Sequence, residues 1–210
     1  MKNKKNDISF LGMEKGLLYE TIITSKNSED VPNAAPIGVL CKSSTEIVIY
    51  LHEGSHTLKN IRLNKRFAVN ILKNPELFVK STISDLSLDY FKKYKDIFVL
   101  EDAEGFFTAD LTDIKEVERK DKLGESKLSI IQADVKEVVK IKECVEPLNR
   151  AIFAILESLI YLTRLEIANQ ETYNNYTERI KELSRLVHKV GGSSHKQAMK
   201  SILESINNKK

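Results

Sequence analysis

The sequence predicts a mainly β (α+β) protein, an antiparallel barrel followed by a C-terminal helical subdomain. Three observations predict it. Between residues 16 and 141, segments rich in β-branched and aromatic residues alternate with turn clusters, giving six or seven strands and one short helix. From residue 145 the apolar spacing changes from two to between three and four, the period of helices. The joins between the first strands are short, which suits antiparallel neighbours.

Gly16–Thr24 reads as the first strand, and Lys26–Asp30 as the turn that leads into a second strand, Val31–Leu40. The second strand carries Ala34, Ala35, Pro36 and Gly38 where bulky β-formers are usual. Small residues and a proline mark an edge, or a place where something flat approaches the backbone. After a turn at Lys42–Thr45, Glu46–Leu51 is a strand of buried type. Gly54-Ser55 ends it and opens a helix over Ser55–Asn64, with Leu58 and Ile61 on its inner face. Phe67, Val69 and Ile71 then alternate with Ala68 and Asn70, the pattern of a half-buried strand. Asn74-Pro75 breaks that strand. Residues 75–98 are ambiguous: Leu77–Thr82 can form another short strand, and Asp85–Tyr94 a helical turn or a loop. Phe106–Arg119 and Glu125–Ile141 alternate strongly and pair as a hairpin through Lys122-Leu-Gly-Glu.

In the helical part, Pro147 fits a first helical position. Leu148, Ile152, Ile155, Leu159 and Leu162 follow as one stripe, and Tyr176, Ile180, Leu183, Val187 and Val190 as a second. Gly191-Gly192 stops that helix, and Ser194–Gln197 reads as a capping box for the last one. The division is therefore residues 1–142 for the barrel and 143–210 for helices packed on the barrel or on a dimer partner.

Composition removes several function classes. The net charge is only +3, supplied by the two termini, which read as frayed ends. Acidic and basic residues alternate elsewhere, with no basic stripe for nucleic acid. No apolar run approaches the roughly 20 residues of a membrane span, so the expectation is a cytoplasmic protein. Cys41 and Cys144 make no disulfide framework and read as small buried hydrophobes.

Two constellations carry chemistry. His52-Glu-Gly-Ser-His56 matches H-E-x-x-H, but a strand precedes it and Gly54-Ser55 interrupts the helix that a zinc site needs. Ser55, His56, Thr57 and Asn60 are the stronger set. Two hydroxyls and the free N–H groups of a helix start suit a phosphate, although an ordinary N-cap accounts for the same residues. A flat, small-residue strand beside an anion site suits a flavin nucleotide. No nucleophile–base pair stands out. Asn149, Arg150 and Arg164 are read as surface ion-pairing groups rather than ligands.

Gly16–Thr24, Pro32–Val39, Gly54–Ile61, Lys65–Ile71 and the pattern N-R-A…E-x-L-I…T-R-L from Asn149 to Leu165 resemble an archaeal-type family of unassigned function. That family lies in the FMN-binding split-barrel superfamily, with flavin reductases and pyridoxamine-phosphate oxidases. The resemblance spans nearly the whole chain and implies a homodimeric split barrel with FMN in a groove between subunits. It implies that the backbone of Ala35, Pro36, Ile37, Gly38 and Val39 runs along the ring, and that Ser55, His56, Thr57 and Asn60 hold the phosphate. Thr57 and Asn60 match the T-x-x-N of flavin reductases. The oxidases carry basic residues where His56 and Thr57 stand, which argues against that activity. The implied function is a flavin-dependent oxidoreductase acting on a small molecule, with a link to tetrahydromethanopterin-type one-carbon metabolism. The alternative is a non-catalytic FMN carrier.

Overall fold

A computed structural model of the chain describes residues 2–121 and 124–207. The chain divides into two compact units: Met1–Lys15 with Tyr19–Leu148, and Gly16–Leu18 with Asn149–Lys210.

The first unit contains β1 (Lys2–Lys5), β2 (Leu18–Lys26), β3 (Pro32–Cys41), β4 (Glu46–His52), α1 (His56–Asn64), β5 (Arg66–Ile71), α2 (Pro75–Ile83), β6 (Phe91–Tyr94), β7 (Ile97–Leu100), β8 (Gly105–Asp121) and β9 (Gly124–Lys140). Hydrogen bonding runs β1-β9-β4-β3-β2-β5-β8, and β8 also pairs with β9. That last pairing closes six strands into a barrel, the expected antiparallel architecture. The barrel is split beside β3. Only Val39–Cys41 pair with β4, leaving Pro32–Gly38 without that neighbour. Phe67, Val69, Ile47, Ile49 and Phe106 are among the buried core residues.

Several local expectations change. β5 is buried on both faces, Ala68 and Asn70 included, because the β6–β7 hairpin adds a second apolar layer in which Ala68 meets Ile97 and Val99. Asn70 is tolerated there because it is fully bonded. Its amide donates to Ile22 O (2.9 Å) and Thr24 Oγ1 (3.0 Å), and its oxygen accepts from Leu100 N–H (2.9 Å). Leu77–Thr82 lies in a helix, α2, rather than a strand. Asn74 caps it by accepting from Leu77 N–H at 3.2 Å, and Pro75 takes the first position, where a missing N–H costs nothing. The β6–β7 hairpin itself turns at Lys95 and Asp96, with Lys95 at φ +55°. No glycine or asparagine announces this turn. Lys2–Lys5 is no frayed end, since it pairs with Glu137–Lys140 of β9. Met1, the end from 208 to 210, and Lys122 and Leu123 of the expected β8–β9 turn lie outside the described residues. Cys41 is buried as expected, but Cys144 is exposed.

The second unit holds α3 (Arg150–Arg164), α4 (Gln170–Val190) and α5 (Ser193–Asn207). Ile180, Val187, Val190, Met199 and Ile202 form its core with Ala151, Ala154 and Ile155. α3 starts later than Pro147 suggests, because Asn149 is its cap. The Asn149 side chain accepts from Ala151 N–H (2.8 Å) and donates to Leu18 O (3.0 Å) and Val190 O (2.9 Å). It is therefore a structural residue, neither ligand nor ion pair. Gly191 ends α4 where a Cβ would stand 2.7 Å from Val187 O and 3.0 Å from Ala151 Cβ. Only glycine lets the helices approach there. α5 begins at Ser193, so Ser194 is not its cap. His195 Nδ1 instead accepts from Gly192 N–H at 3.3 Å. The stripe expected on α3 is also shifted. The buried residues are Ala151, Ala154, Ile155 and Ser158, whereas Ile152 and Leu159 are exposed.

Candidate functional site

α1 positions the site. Gly54, at φ +84°, turns the chain from β4 into the helix, a conformation that favours glycine. Ser55 then caps α1, its hydroxyl accepting from Leu58 N–H at 3.3 Å while Lys59 N–H reaches Ser55 O at 3.2 Å. Among the described residues the N–H groups of His56 and Thr57 meet no acceptor, as the first turn of a helix requires. They are two free donors at the positive end of the helix dipole.

The side chains divide by direction. Thr57 is buried, and its Oγ1 accepts from Asn33 Nδ2 at 3.1 Å, leaving its O–H to donate. Asn60 is buried too, with Nδ2 donating to Ser25 Oγ at 3.1 Å and its second amide hydrogen left over. His56 and Lys59 are exposed. His56, Lys59, Asn60 and Leu63 share one face of α1, and this face lines a cleft of about 610 Å³. Opposite lie Asn27, Ser28 and Val31 of the β2–β3 loop, the β3 start at Pro32 and Asn33, and Asp85–Leu88 beyond α2. Val31, Leu63 and Leu88 are exposed apolar residues on the cleft wall. The cleft thus has an end with N–H donors and the Lys59 ammonium, and an apolar lip.

Of the residues singled out from the sequence, His56 and Asn60 line this cleft. Thr57 lies beneath, tied to the lining residue Asn33, and Ser55 acts as the helix cap. Ala35, Pro36, Ile37 and Gly38 are half-buried on the part of β3 that lacks β4, outside the cleft lining. Thr21 Oγ1 donates to Ile37 O at 2.9 Å. The Val39 side chain is in the core and its backbone pairs with Ile49. Sequence reasoning missed Lys59 and Asn33. Lys59 had a signal, because it stands at i+3 from His56 with Leu63 at i+7. Asn33 had none, since its role depends on β3 reaching α1.

The H-E-x-x-H residues do not assemble as in a zinc peptidase. His52 ends a strand, and Glu53 bonds Arg62 at 3.0 and 3.2 Å and accepts from Ser129 Oγ at 2.5 Å. The Ser129 hydroxyl first, and Arg62 second, hold its carboxyl below the usual carboxylate range. Among the described residues no three His, Cys, Asp or Glu side chains come together as a metal site, and no helix is long and apolar enough to cross a membrane.

The closed six-strand antiparallel barrel is a split-barrel fold. A flavin reductase domain protein of Arthrobacter shares it, at TM-score 0.50 and 16% identity over 66% of this chain and 84% of that one. The chain belongs to the family described as Protein of unknown function (DUF447). The model of that family's N-terminal domain matches residues 19–137, and a second model of the family matches residues 149–204. An uncharacterized protein of Methanocaldococcus jannaschii is 28% identical over 91% of this chain and 99% of its own. A crystal structure of an FMN-bound protein of Methanosarcina mazei, of the same family, is 29% identical with TM-score 0.53. That match covers 95% of this chain and all of the other.

Proposed function

We propose that this protein binds FMN through the first turn of α1 and uses it as a flavin-dependent oxidoreductase on a small molecule. The observation that carries the reading is the set of donors left over at α1. The N–H groups of His56 and Thr57, the Thr57 hydroxyl and the spare Asn60 amide hydrogen suit a phosphate dianion, with Lys59 as a nearby cation. The FMN carried by the Methanosarcina relative supports the choice of anion.

FMN supplies hydride and electron transfer when bound. The chain's own residues bind and orient. Ser55 holds the helix start in place, and Asn33 fixes the Thr57 rotamer. The Ala35–Val39 backbone, with small side chains over its first four residues except at Ile37, would take the flavin ring. We further propose that two copies form a homodimer that completes the flavin groove, and that the protein acts in the cytoplasm, where the unpaired Cys41 and Cys144 stay reduced.

The test has two stages. Purified protein titrated with FMN should quench its fluorescence, and absence of quenching rejects the cofactor. The reduced, FMN-loaded protein is then mixed anaerobically with oxidised pterin, quinone, deazaflavin and nicotinamide acceptors, including the oxidised forms of tetrahydromethanopterin-type pterins. Reoxidation faster than that of free reduced FMN with any acceptor supports the enzyme. Equal rates with all of them reject it in favour of a carrier.

A further inference from the structure

The cleft beside α1 is larger than a flavin phosphate fills. Its volume of about 610 Å³ lies in the range of whole-ligand pockets, about 300–1,000 Å³. Every residue that lines it belongs to the first unit. The β3 stretch Ala35–Gly38, proposed above for the flavin ring, is outside the lining. FMN with its phosphate on the His56 and Thr57 N–H groups therefore uses only one end. From His56 to Leu63 the cleft follows α1 for about 10 Å.

The chemistry changes in order along that length. After the first-turn donors comes Lys59, about 4.5 Å further along the helix axis than His56. Asn60 beside it is only 7% exposed yet lines the cleft, and Ser25 takes just one of its two amide hydrogens. Then come Val31, Leu63 and Leu88, from the β2–β3 loop, α1 and the short turn Leu88–Tyr90. They are 49, 57 and 66% exposed. Single exposed apolar residues are ordinary, but here three separate elements bring theirs to one cleft. Asp85 lies on the wall opposite α1. Among the described residues neither the Lys59 ammonium nor the Asp85 carboxylate enters an ion pair. Asp30, next to Val31, is taken by Lys26 and Lys93 at 2.6 and 3.0 Å and so does not neutralise Lys59.

We infer that this cleft takes the AMP half of a dinucleotide, so that FAD binds through the same α1 donors as FMN and more tightly. The order of donors, ammonium and apolar slot along α1 is that of a pyrophosphate followed by a flat base. The flavin phosphate meets the His56 and Thr57 N–H groups, and the second phosphate meets the Lys59 ammonium. The adenine lies between Leu63 and Leu88, where its faces and theirs leave water. The ribose hydroxyls, between phosphate and base, donate to the Asp85 carboxylate, which only accepts. Charge and shape select this occupant. A hydrophobic peptide leaves Lys59 and the helix donors without a counter-charge, and a free phosphate leaves the Leu63–Leu88 end unused.

This assignment rests on the flavin reading proposed above, and the test separates the two. The full chain is dialysed to equilibrium against FMN, FAD and AMP at one ionic strength. Wild type should hold FAD about tenfold or more tighter than FMN. Leu63→Ser and Leu88→Ser remove the apolar walls without adding a charge. Each should lower FAD affinity by about threefold or more, with FMN affinity as in wild type. Both residues are exposed, so circular dichroism should show an unchanged fold. FAD no tighter than FMN overturns the AMP subsite and leaves the flavin reading standing. An FAD advantage that survives both substitutions overturns the cleft as its location. AMP that binds the FMN-loaded protein while FAD gains nothing overturns the joined dinucleotide and gives the cleft to a separate nucleotide. If neither flavin binds, both readings fail.

Discussion

Thr57→Val tests the phosphate site at its least ambiguous atom. The substitution keeps the branched shape of a buried side chain and removes only its hydroxyl. Two interactions change. Asn33 Nδ2 loses its 3.1 Å acceptor, but Asn33 is half-buried and can turn to water, so the fold should lose only about 1 kcal/mol. The bound phosphate loses one charge-assisted hydrogen bond, a change of about 1.5–3 kcal/mol, or roughly 10–150-fold in affinity. Riboflavin, which lacks the phosphate, should bind wild type and variant alike. The assay is flavin fluorescence quenching with FMN and riboflavin in parallel at one ionic strength. Equal FMN affinity in both proteins would refute a phosphate contact at Thr57. A proportional loss of FMN and riboflavin binding would also refute it, because the damage would then lie in the fold or at the ring.

Lys59→Gln should weaken FMN binding several-fold at low salt and much less at high salt, because an exposed ammonium acts through a screened charge; a salt-independent loss would contradict this. Asn70→Ala should cost about 3–4 kcal/mol in urea unfolding, since it orphans the buried Leu100 N–H and removes two further bonds. A loss under 1 kcal/mol would show that water replaces the amide. The Arg66 guanidinium, paired with Asp110 at 2.5 and 2.9 Å, holds the Asp110 carboxyl below its ordinary value. Its contribution is therefore complete above a pH of about 3.9 and is lost as pH falls through the depressed folded value. Arg66→Met should flatten the acid limb of the stability–pH curve, and an unchanged limb would count against the pair. Tyr173→Phe should raise stability by about 1 kcal/mol, because the Tyr173 hydroxyl is buried without a partner; a loss of stability would mean that the hydroxyl is bonded after all.

The sequence by itself determined the elements whose cause is local. Runs of β-forming residues bounded by turn clusters located β2 to β5 to within a few residues, and alternation located the β8–β9 hairpin, because a strand with one face in a core repeats every second residue. Gly54 and Ser55 marked the start of α1, since a left-handed turn and an N-cap each admit few residue types. Asn74-Pro75 was equally local, an N-cap and a first-position proline, but the apolar run after it matched a strand as well as a helix. Tertiary structure decided the rest. The β6–β7 hairpin turns without glycine and is held by the layer it lays over β5, so Ala68 and Asn70 are buried against their polar or small character. Asn33 becomes part of the site only because β3 carries it 24 residues back to Thr57. The two faces of α3 show the same limit. Periodicity identifies apolar positions but not which of them a neighbour covers, because alanine and serine pack closest and carry the weakest hydrophobic signal. Ile152 and Leu159 belonged to the stripe read from the sequence, and in the fold they are exposed.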